Sequence, residues 1–155
     1  MSHVTLETLQ DDHWPALEAF TLPLDQEKYT TLPRDIDSPL PEGVHPIVIV
    51  AEGPVGFFLL HDTERVQTYT ESAHALLLSI FSINHPFQGN GYAKAALRQL
   101  PAYVRQQFPK TQEVVLSVNL KNDAAFALYE KVGFSDTGRR ITGPVGEQRI
   151  MSLAL

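Results

Sequence analysis

The apolar positions of this chain fall into runs of two kinds. Continuous runs at Ile47-Val48-Ile49-Val50-Ala51, Val55-Gly56-Phe57-Phe58-Leu59-Leu60 and Ala73 to Ile83 are bounded by turn residues and are too short to cross a bilayer. They predict buried strands, the first two joined at Glu52-Gly53-Pro54 as an antiparallel hairpin. A weak alternation of Val4, Leu6 and Leu9 predicts an earlier strand over His3 to Leu9. Further strands are predicted at Glu113 to Val118, Thr137 to Thr142 and Gln148 to Leu155, the last two flanking the turn Gly143-Pro144-Val145-Gly146.

Helical spacing follows a different rule, with apolar residues returning every three or four positions. Ala93, Ala96, Leu97, Leu100, Val104 and Phe108 satisfy it, so a helix is predicted after Gly91, kinked near Leu97 to Pro101 by the proline inside it. A second helix is predicted from Asp123 to about Val132, capped by Asn122 and ended by Gly133. Asp11 or Asp12 can cap an earlier helix whose stripe is Trp14, Leu17, Ala19 and Phe20. Pro23, Pro33, Pro39 and Pro41 leave room only for a short helix near Asp25 to Thr30, and Asp62 to Ser72 reads as loop. The strand before Gly91 and the strand at Glu113 are separated by a helix, which makes them parallel. The resulting order is β-α-(α)-β-β-β-α-β-α-β-β: an α/β (α+β) mixed sheet with helices on its faces, in one domain over residues 1–155.

Composition narrows the function. The chain has no cysteine, which excludes disulfides and a thiol nucleophile. Its net charge of -6 argues against non-specific nucleic-acid binding. No leader-like or membrane-spanning run is visible, so a soluble cytoplasmic protein is expected. Up to Glu42 there are nine acids against Lys28 and Arg34, leaving the remaining residues near +1. The acidity is therefore an N-terminal property, either a solvated face or a field that attracts a cationic ligand.

The junction Ile83 to Lys94 carries the most chemistry. Two glycines in Gln88-Gly89-Asn90-Gly91-Tyr92-Ala93 open a helix whose first N–H groups and positive dipole end attract an anion. A P-loop would need Gly-Lys-Ser/Thr, which is missing. A dinucleotide fingerprint would need a small residue where Lys94 stands and an acid at the far end of the next strand, whereas Glu113 lies at its beginning.

The six residues from Gln88 to Ala93 instead resemble the Gln/Arg-x-x-Gly-x-Gly/Ala pyrophosphate loop of the GNAT superfamily of acyl-CoA N-acyltransferases. Leu116 to Phe134, with its spaced Asn, Ala, Leu-Tyr and Gly-Phe, resembles that family's second motif. The resemblance implies a central, mixed, mostly antiparallel sheet of six to seven strands flanked by about four helices. It further implies acetyl-CoA as co-substrate, with no metal. Backbone groups of Phe81 and Ile83, in the segment Phe81-Ser82-Ile83, would pair with the pantetheine amides. N–H groups from Gly89 through Asn90, Gly91, Tyr92 and Ala93 to Lys94 would hold the pyrophosphate. Asn122 would contact the pantetheine arm or cap its helix, and Tyr129 would face the thioester sulfur as general acid.

In such a reaction an amine attacks the acetyl carbonyl, a tetrahedral intermediate collapses, and the thiolate leaves. The base is less defined. Ser79, Ser82 and Ser117 stand on central strands where an acid could have stood, and Glu71 and His74 are the nearest titratable candidates. Glu71 is the candidate base, with a water relay as the default. The six histidines are scattered without ligand spacing, so no metal site is expected. Asn119 reads as a turn residue with Asn122, the alternative being a hydrogen bond to a substrate amide from its strand end.

Short patches at Thr137 to Arg140, Gly146 to Met151 and Gln26 are similar to bacterial GNAT members described as spermine or spermidine acetyltransferases. A polyamine, another small or antibiotic-like amine, and a protein or peptide amine all remain open as acceptors. The rival reading is a non-catalytic acyl-CoA-binding or sensing module on the same fold. Family members are often dimers, and the apolar strand Ile150 to Leu155 could support a homodimer.

Overall fold

The fold is described from a computed structural model covering residues 3–155. Among these residues the chain forms seven strands and four α-helices. They are β1 (Thr5–Thr8), α1 (Trp14–Glu18), α2 (Leu24–Glu27), β2 (Val44–Val50), β3 (Pro54–His61), β4 (Ala75–Ile83), α3 (Tyr92–Gln107), β5 (Glu113–Asn119), α4 (Asp123–Lys131), β6 (Ser135–Gly143) and β7 (Gly146–Ala154). The strands make one sheet in the order β1-β2-β3-β4-β5-β7-β6. Every neighbouring pair is antiparallel except β4 and β5, whose parallel pairing is the one the intervening helix requires.

Each face of the sheet has its own cover. Leu97, Leu100 and Val104 of α3 and Tyr129 of α4 pack with Phe58, Leu60, Leu78, Leu116 and Met151 on one face. Leu17 and Phe20, from α1 and just beyond it, pack with Leu32, Val48, Phe57 and Leu59 on the other. Farther along that second face, Val66 and Tyr69 cover Leu77, Val115 and Ile150. Alternation along β3 decides this division, because Phe57 and Leu59 face one way while Phe58 and Leu60 face the other.

Several boundaries differ from those expected. The N-terminal helix is preceded by a 3-10 turn at Asp11–His13, and Gln10 rather than either aspartate is its N-cap. The reason is His13, which is buried and accepts a hydrogen bond from the Gln10 N–H at 3.0 Å, drawing Asp11 and Asp12 into the turn. The stretch after β3 is not bare loop, because a 3-10 turn at Glu64–Thr68 buries Val66 under the sheet. Helix α3, as expected, is a single helix through Pro101. Proline lacks the N–H that would bond the Leu97 carbonyl, and the fully buried Leu97 and Leu100 hold the flanking turns to the core.

Candidate active site

Strands β4 and β5 part company early. Their pairing covers only Ala75–Leu77 with Glu113–Val115, while β3 stays registered with β4 as far as Ile83 and β7 stays with β5 as far as Asn119. Beyond Leu77, therefore, β4 presents a strand edge with no strand beside it. Ile80 marks the departure: its φ of 48° is the left-handed region rarely entered by a β-branched residue, and the β3–β4 register shifts between Phe57 and Leu59. A V-shaped opening results, walled by Phe81, Ser82 and Ile83 on one side and the C-terminal half of β5 on the other. The hydroxyl of Ser82 is buried there with no hydrogen-bond partner.

The outer end of β4 leads into the glycine loop. Gly89 and Gly91 have φ of 81° and 78°, and Gly91 is the N-cap of α3. A side chain with a Cβ would strain both positions, so the sequence keeps glycine where the chain turns sharply into the helix. The first-turn N–H groups of Tyr92, Ala93 and Lys94 have no acceptor within the helix and can receive an anion at its positive end. Lys94 itself is half-buried, and its ammonium is held below the usual lysine range by Arg98 first and then Lys131. Three cations thus converge beside the loop. Gln88 braces it, donating to the Ile83 carbonyl at 2.9 Å and exchanging amide hydrogen bonds with Gln26 of α2 at 2.9 and 3.3 Å.

Helix α4 supplies the inner wall. Asn122 caps it, its Oδ1 accepting from the Ala125 N–H at 3.3 Å. Asn119 is a turn residue, accepting from Lys121 N–H at 2.9 Å and donating to the Val145 carbonyl at 3.1 Å, which pins the start of α4 to the β6–β7 turn. Tyr129 meets Phe81 and Phe134 edge-on, with ring centroids 6.5 and 5.7 Å away. Its hydroxyl has no hydrogen-bond partner among the described residues. Burial pushes this phenol above its ordinary range, so it stays protonated and able to donate.

Glu71 does not fit as the base. It is exposed and lies before Ala75, at the end of β4 that pairs with Glu113, in a shallow cleft with Thr70, Ser72, Gln112, Glu113 and Arg139. Four residues of strand separate Ala75 from Ser79 at the bulge, about 13 Å at 3.3 Å per residue, and Glu71 lies farther back still, whereas a base must reach its proton directly or through one water. His74 shares this placement. What occupies the other side of the sheet near the bulge is a cavity of about 580 Å³. Thr31, Asp35 and Asp37 line it from the segment between α2 and β2, and His61, Ser79 and Ile80 from β3 and β4. Sequence reasoning leaves His61 among six scattered histidines. Alternation along β3 was the available signal, since it puts position 61 on the face of Phe57 and Leu59.

The comparisons with known proteins agree with this architecture. The sequence profile of the acetyltransferase (GNAT) family matches residues 6–134. A curated relative from Bacillus subtilis (strain 168), the uncharacterized N-acetyltransferase YbbJ, is 41% identical over 152 residues, covering 96% of this chain and 95% of its own. The chain belongs to the GNAT acetyltransferase family. Among solved GNAT-like structures, the aminoglycoside acetyltransferase AAC(6')-Ib in complex with coenzyme A and kanamycin superposes with a TM-score of 0.77 at 18% identity, over 98% of this chain and 95% of that one. The spermidine N-acetyltransferase from Vibrio cholerae in complex with CoA and spermine superposes at 0.70 and 16% identity, over 97% and 95%. The sheet with its four helices is thus the GNAT fold, and this GNAT member is an N-acetyltransferase. Among the described residues no helix is long and apolar enough to cross a membrane.

Proposed function

We propose that the protein transfers an acetyl group from acetyl-CoA to the primary amine of a small cationic acceptor. The observation that carries this reading is the cavity at the β4 bulge, lined by the exposed Asp35 and Asp37 and by Ser79 and Ile80, two and three residues past the last β4–β5 pair. A pantetheine arm laid along the free edge of β4 runs from the glycine loop toward that vertex, four residues from Ile83 to Ser79, or about 13 Å of strand. Two carboxylates against the single guanidinium of Arg65 on the lining favour a cation in the approach, in keeping with the acidic N-terminal third.

The arrangement accounts for each chemical need. The N–H groups of Tyr92 to Lys94 and the nearby cations Lys94, Arg98 and Lys131 supply donors and positive charge for the pyrophosphate. The hydroxyl of Tyr129, carried on a buried ring, donates to the sulfur as negative charge develops there, acting as the general acid of thiolate departure. Asn122 leaves its side-chain N–H₂ available to the arm while its oxygen holds the helix. Two relatives of the fold carry amine-bearing ligands, kanamycin and spermine, which supports a small amine over a peptide.

The test mixes the purified protein and acetyl-CoA with a panel of polyamines, aminoglycosides, amino acids and peptide amines while free thiol is monitored. Thiol release with a multiply charged small amine is expected, and D35N/D37N should raise its KM about tenfold, the loss of about 1.4 kcal/mol of attraction, with kcat little changed. Release with peptide amines alone would overturn the acceptor assignment. Tight CoA binding with no release for any amine would identify an acyl-CoA sensor.

A further inference from the structure

Two polar groups meet at the inner end of this cavity. His61, the last residue of β3, is buried, and its Nε2 lies 2.6 Å from the Oγ of Ser79 on β4. The contact is diagonal across the pair, since Leu59 is registered with Ser79 and His61 with Leu77, so both side chains share the cavity face. Ser79 lies two residues past the last parallel pair and directly before the left-handed Ile80. It is thus the β4 side chain that the bulge presents at the vertex. The groups around the imidazole are His45 from β2 and Arg65 from the 3-10 turn, both of which disfavour a further positive charge, with Asp35 and Asp37 across the cavity.

We propose that Ser79 and His61 form the proton-accepting end of the acceptor pocket, Ser79 touching the attacking nitrogen and His61 acting through it as a positioning residue. The inference rests on the acetyl-transfer reading above and names the base that reading lacks. With the imidazole proton on Nδ1, Nε2 accepts from the Ser79 hydroxyl, which leaves the serine oxygen free to accept from the amine. The acceptor gives one proton of its ammonium to solvent and attacks as free amine. As the C–N bond forms, the carbonyl π pair moves onto oxygen, the excess N–H proton passes to Ser79 Oγ, and the serine's own proton passes to His61 Nε2. The oxygen pair then returns, the C–S bond breaks, and the departing sulfur takes the Tyr129 proton. The imidazolium returns its proton through solvent to the Tyr129 oxygen, so that amine and acetyl thioester become amide and free thiol and both side chains regain their resting state. Burial, Arg65 and His45 push His61 down to about 4, which keeps the resting imidazole neutral and makes the imidazolium quick to discharge.

The logic is that of a nucleophile's base held by a second group, applied to a substrate nitrogen. It predicts that the pair acts as a unit. S79A, H61Q and the double variant should each lose about 10²-fold in kcat, with the double falling no further than either single and the KM for acetyl-CoA unchanged. S79T, which keeps the hydroxyl, should recover most of the loss. The assay uses the full chain, acetyl-CoA and the amine of highest thiol release, with a thermal melt on each variant. Losses that multiply in the double variant, or an S79A enzyme as fast as wild type, would overturn the proposal while leaving acetyl transfer intact. The ring nitrogen resonance of His61, identified by its disappearance in H61Q, gives a readout independent of turnover. It should shift when spermine or kanamycin is added to the CoA-bound protein. An unmoved resonance under saturating amine also overturns the proposal. Absence of thiol release by the wild type would fail the acetyl-transfer reading instead, with the resonance still deciding whether the pair meets the amine.

Discussion

Tyr129→Phe separates chemistry from architecture, because the structure assigns nearly all of the residue's packing to its ring and none of its internal hydrogen bonding to its hydroxyl. Phenylalanine retains the edge-on contacts with Phe81 and Phe134. The hydroxyl that is lost has no partner among the described residues, and its oxygen keeps some contact with solvent, so its removal neither breaks an internal hydrogen bond nor relieves a buried unpaired group. The variant should therefore melt close to the wild-type temperature, a change of 1 kcal/mol being worth about 2–4 °C in a domain of this size. Catalysis should respond strongly. A general acid contributes about 10²- to 10⁴-fold, or about 2.7–5.4 kcal/mol of barrier, and a bare phenyl ring has no proton to offer the departing thiolate. The decisive assay follows free thiol under saturating acetyl-CoA and amine, beside calorimetric titration with CoA. A fall in kcat with CoA affinity preserved is expected. Unchanged kcat would remove Tyr129 from the mechanism, and a melting temperature lowered by several degrees would make its hydroxyl structural. Since burial lifts the phenol above its ordinary value of about 10, no tyrosine limb should enter the rate profile at lower pH.

Two further outcomes test the surrounding framework. Gly56→Ala would set a Cβ 2.7 Å from Ile83 Cδ1, 2.8 Å from Ile49 Cδ1 and 2.9 Å from the Ser82 carbonyl oxygen. The side-chain ends can swing aside but the carbonyl cannot, so a loss of about 1–3 kcal/mol is expected; an unaltered chemical-denaturation midpoint would contradict the Gly56–Ile83 register. His61 should make the fold acid-sensitive. Its folded value of about 4 lies below the ordinary 6.5, so in that window the unfolded chain binds more protons and stability falls as the pH is lowered from about 6.5 toward 4. H61Q should flatten that part of the pH–stability curve, and a curve identical to wild type would show that His61 is not held neutral by the fold.

How much could be read before the structure depended on distance along the chain. The donor half is local: an apolar strand, two glycines at a helix start, and an Asn-capped helix bearing Tyr129 are each written in a few contiguous residues, because helix caps, left-handed glycines and strand runs are decided by near neighbours. The family, the element order and the parallel β4–β5 pair follow from those stretches. The acceptor half depends on contacts between distant residues. Ser79 is 18 positions from His61, and Asp35 more than 40 positions before Ser79, yet they line one cavity. Glu71 illustrates the converse, close to the opening strand in sequence but at its wrong end in space, since an extended chain moves by about 3.3 Å with each residue. The bulge at Ile80 and the parting of β4 from β5 after Leu77 leave no sequence signature of their own, because they arise when the two strands answer to different neighbours, β3 and β7. The sequence by itself determined the family and the glycine-loop, strand and capped-helix elements on which the proposed donor site rests. Only tertiary structure decided the cavity proposed for the acceptor, because that place exists only where separately encoded strands diverge.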